Sequence, residues 1–189
     1  ENNIGSYLNK FKKKGVTPHI IKTIGMINCD RKSLGYLDTF NGNDWYYNIL
    51  SNPNLYDDVK IILTEHLNDN LAMLLKQNKL TKQKIIIILF QICYTLVCIQ
   101  NNLENFRHND LKPSNILYKI KKHRSKYYDV YIIMGIKFYV PCLPFEIKIA
   151  DFDFSYSNKF KNQKIENFKD NTLNKKGINP FINPVYDLH

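Results

Sequence analysis

The chain has 189 residues, 44% of them hydrophobic and 23% charged, which suffices for one domain with a sizeable core and excludes a wholly disordered chain. Lysine and arginine number 27 against 17 aspartate and glutamate, a formal charge of +10. The lysines are scattered rather than striped, so they read as a solvated basic surface, and no nucleic-acid partner is expected.

Residues 1–14 read as a helix. Ile4, Leu8 and Phe11 recur at helical spacing, and Lys10 to Lys14 place positive charge at the C-terminal end, where the helix dipole favours it. Gly15 closes that helix and Pro18 stops it. Residues 20–27 predict a strand. Residues 28–58 carry Asn28, Asp30, Gly35, Asn52, Pro53 and Asp57, and read as a loop or insertion in which Trp45, Tyr46 and Tyr47 pack locally. Residues 59–64 form a compact apolar strand, followed by Glu65, His66 and Leu67. Asn68, Asp69 and Asn70 supply an N-cap for a short helix through Lys76, and Thr81 caps a helix running to about Gln100. That helix is apolar nearly all round and is expected at the centre of its domain, with Cys93 and Cys98 acting as small hydrophobes. Its apolar run is interrupted and shorter than the ~20 residues of a membrane span, so no span is expected.

After a polar loop, residues 116–120 predict a strand, 121–126 a basic turn and 128–140 a β-branched, aromatic strand. Pro141 and Pro144 punctuate, and residues 145–149 alternate as a strand that feeds Asp151. Residues 155–184 are polar and weakly patterned. The mixture predicts an α+β domain.

The polar loop carries the chemistry. From Arg107 to Leu117 it reads Arg-His-Asn-Asp-Leu-Lys-Pro-Ser-Asn-Ile-Leu, and Asp151-Phe152-Asp153 lies downstream. Phosphoryl transfer depends on positioning and charge neutralisation. It needs a carboxylate to take or orient a hydroxyl proton, hard oxygen ligands for Mg²⁺, and a cation for the phosphate in flight. Asp110, Lys112, Asn115 and Asp151 make up that set. Asp110 and Asn115 are close enough along the loop to face one site, and Asp151 leaves a strand end.

The stretch from His108 to Asn115 resembles the protein-kinase catalytic loop H-R-D-L-x-x-x-N, and Asp151-Phe152-Asp153 resembles D-F-G. The resemblance implies Asp110 as catalytic base, Lys112 on the γ-phosphate, and Asn115 and Asp151 on Mg²⁺. Lys112-Pro113 is closer to serine/threonine protein kinases than to tyrosine kinases or aminoglycoside-type small-molecule kinases. It implies a kinase-like fold in two parts. A partial N-lobe, from the αC helix to the hinge, would cover residues 1–67. The first part of the C-lobe would cover 68–189, with an extended hairpin at 117–148 and an activation segment at 151–184. ATP would meet Thr64 as gatekeeper and the backbones of Glu65 and Leu67, and Glu1 would stand as the αC glutamate. Tyr186-Asp187-Leu188-His189 is similar to the start of the helix after the activation segment in kinases of large DNA viruses.

Three departures carry expectations. The seven glycines never adopt G-x-G-x-x-G spacing, and no strand lysine precedes the first helix; both predict a fragment with little or no catalysis by these residues alone. Asn109 stands where an arginine would clamp a phosphorylated activation loop, which predicts activity independent of such a clamp. Asp153 replaces glycine, and aspartate tolerates a left-handed backbone better than most residues. His108 is expected to pack near Asp151, and His19, His66, His123 and His189 to lie on the surface or cap elements.

The four cysteines form no Cys-x-x-Cys pair and have no histidine at zinc-finger spacing, and the polar start lacks a signal-peptide apolar region. A reducing compartment follows, the cytoplasm or, for a viral protein, the host cytoplasm or virion. The leading reading is ATP- and Mg²⁺-dependent transfer to serine or threonine of a protein substrate. The alternatives are a pseudokinase scaffold and a small-molecule or lipid kinase.

Overall fold

The computed structural model of the protein describes residues 4–30, 58–122, 127–166, 178 and 187. It divides into two compact units, residues 23–65 and residues 1–22 with 66–189. Most of the expected insertion, residues 31–57, lies outside the described residues.

In the smaller unit β1 (Thr23–Asp30) runs antiparallel to β2 (Asp58–Thr64), with Met26 opposite Ile62 and Asn28 opposite Lys60. The strand expected over 20–27 therefore starts at Thr23. Ile20 and Ile21 are claimed by the larger unit, where Ile20 forms a parallel bridge to Ile149 and Ile21 N–H donates to the Ile149 carbonyl at 3.0 Å. Burying two isoleucines there outweighs extending a solvent-exposed ladder.

The larger unit opens with α1 (Ile4–Lys13), which buries Ile4, Leu8 and Phe11 on one face. Its C-terminus closes as the sequence predicts. Gly15 takes φ +69°, Val16 N–H reaches the Phe11 carbonyl at 2.9 Å, and Gly15 N–H reaches that of Lys12 at 3.2 Å. Those two bonds satisfy carbonyls that a helix end would otherwise orphan. β3 (Asp69–Asn70) leads into α2 (Leu71–Lys76), whose Met73 N–H is capped by Asn70 Oδ1 at 3.1 Å. Thr81 Oγ1 caps α3 (Lys82–Gln100), accepting from Lys84 N–H at 3.3 Å.

α3 sends Ile88, Ile92, Leu96 and Ile99 into the core against Leu8, Phe11, Ile20, Leu71, Leu74, Ile116 and Ile147. It is not buried all round. Ile85, Ile86 and Leu89 are exposed, and so is Cys93, while Cys98 is buried. By length and composition alone α3 would pass for a membrane span.

β4 (Ile116–Ile120) lies between β3 and β7 (Phe145–Ile149), all antiparallel, with Ile116 opposite Ile149 and Ile120 opposite Phe145. Between β4 and β7 the chain makes a second hairpin, β5 (Tyr128–Ile133) and β6 (Ile136–Pro141). The single strand expected over 128–140 is thus two. Met134 and Gly135 take φ +49° and +82°, so both turn residues are left-handed, the geometry whose twist matches a two-residue hairpin.

The hairpin is tied down by a buried polar chain. Gln91 Nε2 donates to the Tyr131 hydroxyl at 2.9 Å, that hydroxyl meets His19 Nε2 at 2.9 Å, and His19 Nδ1 meets the Ile147 carbonyl at 3.1 Å. The carbonyl only accepts, so Nδ1 carries the proton and Tyr131 donates to Nε2. His19 is therefore a core residue joining three segments and not a surface histidine.

Candidate active site in the loop after α3

Leu103 and Phe106, both buried, anchor the chain as it leaves α3. Arg107 and Tyr156 then exchange two backbone hydrogen bonds of 2.9 Å, which fixes the loop beside the segment that follows Asp153. His108 is fully buried. Its Nε2 donates to the Ala150 carbonyl at 2.9 Å, and its ring lies 5.0 Å from that of Phe152. Burial pushes its pKa down despite the opposing pull of Asp187, so the imidazole is neutral and fixes the strand end carrying Asp151. The expected packing of His108 near Asp151 is what is seen.

Asp187, notable in the sequence only as part of Tyr186-Asp187-Leu188-His189, braces this loop. Its carboxylate accepts from His108 N–H at 2.6 Å and from Asn109 N–H at 2.9 Å. Consecutive buried N–H groups need an acceptor, and nothing local supplies one. No spacing rule links a position 78 residues downstream to Asn109. Asn109 takes φ +65°, and its Nδ2 donates to the Phe154 carbonyl at 2.9 Å. Asparagine suits that left-handed backbone.

The result turns Asp110 outward. Its carboxylate accepts from Lys112 Nζ at 2.8 and 3.0 Å and from Asn115 Nδ2 at 2.9 Å. The Asp110 hydrogen bond pushes the exposed Lys112 ammonium's pKa up. Pro113 opens a short 3₁₀ turn through Asn115, closed by Asn115 N–H on the Lys112 carbonyl at 2.8 Å. Asn115 Nδ2 also donates to the Asp110 carbonyl at 2.9 Å. Both bonds use the amide nitrogen and leave its oxygen for another partner. Ala150 N–H donates to the Asn115 carbonyl at 2.9 Å, which brings Asp151 to the same edge. Asp151 is exposed with φ +63°, while Asp153 shows no positive φ; the strained position is the first aspartate. Asp153 is held through its carbonyl, which accepts from Asn162 Nδ2 at 2.7 Å.

Asp110, Lys112, Asn115 and Asp151 are thus drawn together. Thr64, exposed, and Glu65 belong to the smaller unit, Leu67 to the larger, and Glu1 lies outside the described residues. Among the described residues no three of histidine, cysteine, aspartate and glutamate cluster as a metal cage. One carboxylate beside one amide oxygen fits Mg²⁺, which keeps several waters and takes phosphate oxygens for the remainder.

A sequence profile described as poxvirus serine/threonine protein kinase matches residues 52–188. A protein of Acanthamoeba polyphaga mimivirus named as a serine/threonine-protein kinase is 29% identical over 96% of this chain, and the match covers 42% of that relative. A second mimivirus protein so named is 35% identical over 54% of the chain and 28% of its own length. The chain thus spans less than half of either relative.

Proposed function

The chain belongs to the poxvirus serine/threonine protein kinase family, and from that premise we propose that it carries the phosphoryl-transfer site of a protein kinase acting on serine and threonine. The observation that supports this reading most is the Asp110 carboxylate, held by Lys112 and Asn115 within 3.0 Å beside the strand end that presents Asp151.

Asp110 would accept or orient the proton of the substrate hydroxyl, a role worth about 10²–10⁴ in rate. Its two donors, Lys112 Nζ and Asn115 Nδ2, aim it. Lys112 would move its ammonium from Asp110 toward the transferring phosphate as charge develops there. The Asn115 amide oxygen and the Asp151 carboxylate would hold Mg²⁺, which supplies neutralisation of the phosphates. Thr64 and the backbones of Glu65 and Leu67 are assigned to the adenine end of ATP. Residues 1–67 are assigned by role to the N-lobe side and 68–189 to the C-lobe side, although residues 1–22 form one compact unit with 66–189. Asn109 ties the loop to Phe154 without any phosphate, which supports activity independent of a phosphorylated clamp.

The test is transfer from radiolabelled ATP, with Mg²⁺, by a polypeptide containing this chain, followed by phosphoamino-acid analysis of labelled protein. Label on serine and threonine is expected. Label on a small-molecule hydroxyl, or ATP binding with no transfer at all, would overturn the reading in favour of a small-molecule kinase or a pseudokinase.

A further inference from the structure

The β5–β6 hairpin carries an apolar face that points away from the core, and its register decides which side chains lie there. Tyr131 and Val140 are buried with Tyr94 and Cys98 of α3, and side chains alternate along each strand. Tyr128, Val130 and Ile132 of β5 and Tyr139 of β6 therefore face outward, and each is more than half exposed. Val130 stands opposite Tyr139 in the middle of the ladder, with Tyr128 opposite Pro141 and Ile132 opposite Lys137. Met134, at the turn, is 92% exposed.

The hairpin cannot roll this face inward. Its other face is held by the Phe90 ring, 5.3 Å from that of Tyr131 and 5.8 Å from that of Phe138, and by the hydrogen bonds from the Tyr131 hydroxyl to Gln91 and His19. An antiparallel pair with one solvated face ordinarily alternates apolar-in with polar-out. Here the outward positions are apolar too, and Lys137 is the one charge on them. At about 200 Å² for a fully exposed large side chain, Tyr128, Val130, Ile132, Met134 and Tyr139 offer on the order of 600 Å². That is the upper end of about 300–600 Å² for the largest apolar patch on an ordinary monomer, and Pro141 and the Lys137 stem extend it.

We propose that this face is an interface between two copies of the chain, packed hairpin on hairpin about a twofold axis. The extended face approaches the ~800 Å² that each partner contributes to a standard stable interface. Charge selects a like partner. The outward positions hold no carboxylate for a basic partner, and a single lysine is too little for an anionic surface, which calls for about 4–8 clustered basic residues. An apolar face meeting its own copy needs neither. Two sheets stacked in this way lie about 10 Å apart, so side chains of the two outer faces interdigitate. Val130 and Tyr139 form the centre of the contact, and Lys137, nearer the turn, keeps its ammonium in water while its stem covers the edge. The face contains none of Asp110, Lys112, Asn115 and Asp151, so it stands or falls independently of the phosphotransferase reading.

The test is the mass of a polypeptide containing this chain by sedimentation equilibrium, from about 1 to 100 µM, the weak end of the range for interfaces of this size. A reversible monomer–dimer equilibrium is expected. Val130→Lys/Ile132→Lys places four like charges in a twofold contact and should weaken dimerisation about 100-fold or more. Both side chains are exposed in the single copy, so the variant should keep the wild-type melting temperature when diluted to monomer. Ile86→Lys/Leu89→Lys, which charges the exposed face of α3 instead, should leave the dimer unchanged. Amide NMR shifts on dilution are expected at residues 128–139. A monomer at 100 µM, including one whose hairpin amides respond to anionic lipid vesicles alone, would overturn the proposal. So would a dimer that survives Val130→Lys/Ile132→Lys or is lost with Ile86→Lys/Leu89→Lys.

Discussion

His19 shows how one buried side chain sets a pH dependence. Burial, the largest influence, lowers its pKa from 6.5 to about 4, against the opposing pull of the Ile147 carbonyl, Glu146 and Asp129; Lys148 acts in the same direction as burial. The unfolded imidazole takes up a proton below about 6.5, and the folded one only near 4. The stabilisation is therefore complete above pH 6.5 and is lost as pH falls toward 4, about 3 kcal/mol at the acid end. His19→Gln should flatten the fall in melting temperature between pH 7 and pH 5, measured against the wild type by thermal unfolding; a parallel fall in both would disprove the assignment. Nothing local signals this burial, because a lone histidine after a proline carries no periodicity. Asp187 and Asn109 were hidden for a related reason. Their roles are to satisfy backbone groups in a tertiary setting, and the sequence does not record where those groups will be left unpaired.

At the scale of elements, the strongly periodic or well-capped segments were legible. α1 with Gly15, α2 with Asn70 and α3 with Thr81 begin or end where local chemistry places them. The errors fell where tertiary contact decides. Ile20 and Ile21 left their expected strand for β7, and Met134-Gly135 made a turn without the Asn-Gly or Asp-Gly pair that usually announces one. The exposed face of α3 was equally hidden, since isoleucine and leucine fill both faces. The β5–β6 hairpin depends on Tyr131, which is buried against Phe90 and Tyr94 while its hydroxyl bridges Gln91 and His19. Tyr131→Phe keeps the ring and orphans both partners, so a loss of about 1–3 kcal/mol in unfolding free energy is expected from denaturant titration. No change would show that the hydroxyl chain contributes nothing beyond the ring packing.

For the molecule as a whole, the candidate site was readable because its chemistry is concentrated in one continuous stretch. Asp110, Lys112 and Asn115 are neighbours in sequence and in space, and β7 alone is needed to add Asp151. Thr64, Glu65 and Leu67, proposed for the adenine end of ATP, are divided between two compact units, so a local motif cannot define their arrangement. The deciding quantity is what Asp110 contributes to transfer itself. The single-turnover rate of phosphoryl transfer from Mg²⁺-ATP, compared between the parent polypeptide and its Asp110→Asn variant, measures it. Asparagine preserves shape and leaves Asn115 and Lys112 in place, so a fall of about 10²–10⁴ in rate with ATP affinity unchanged is expected. A variant that transfers phosphate at the parental rate would contradict the assignment of this loop as the catalytic site.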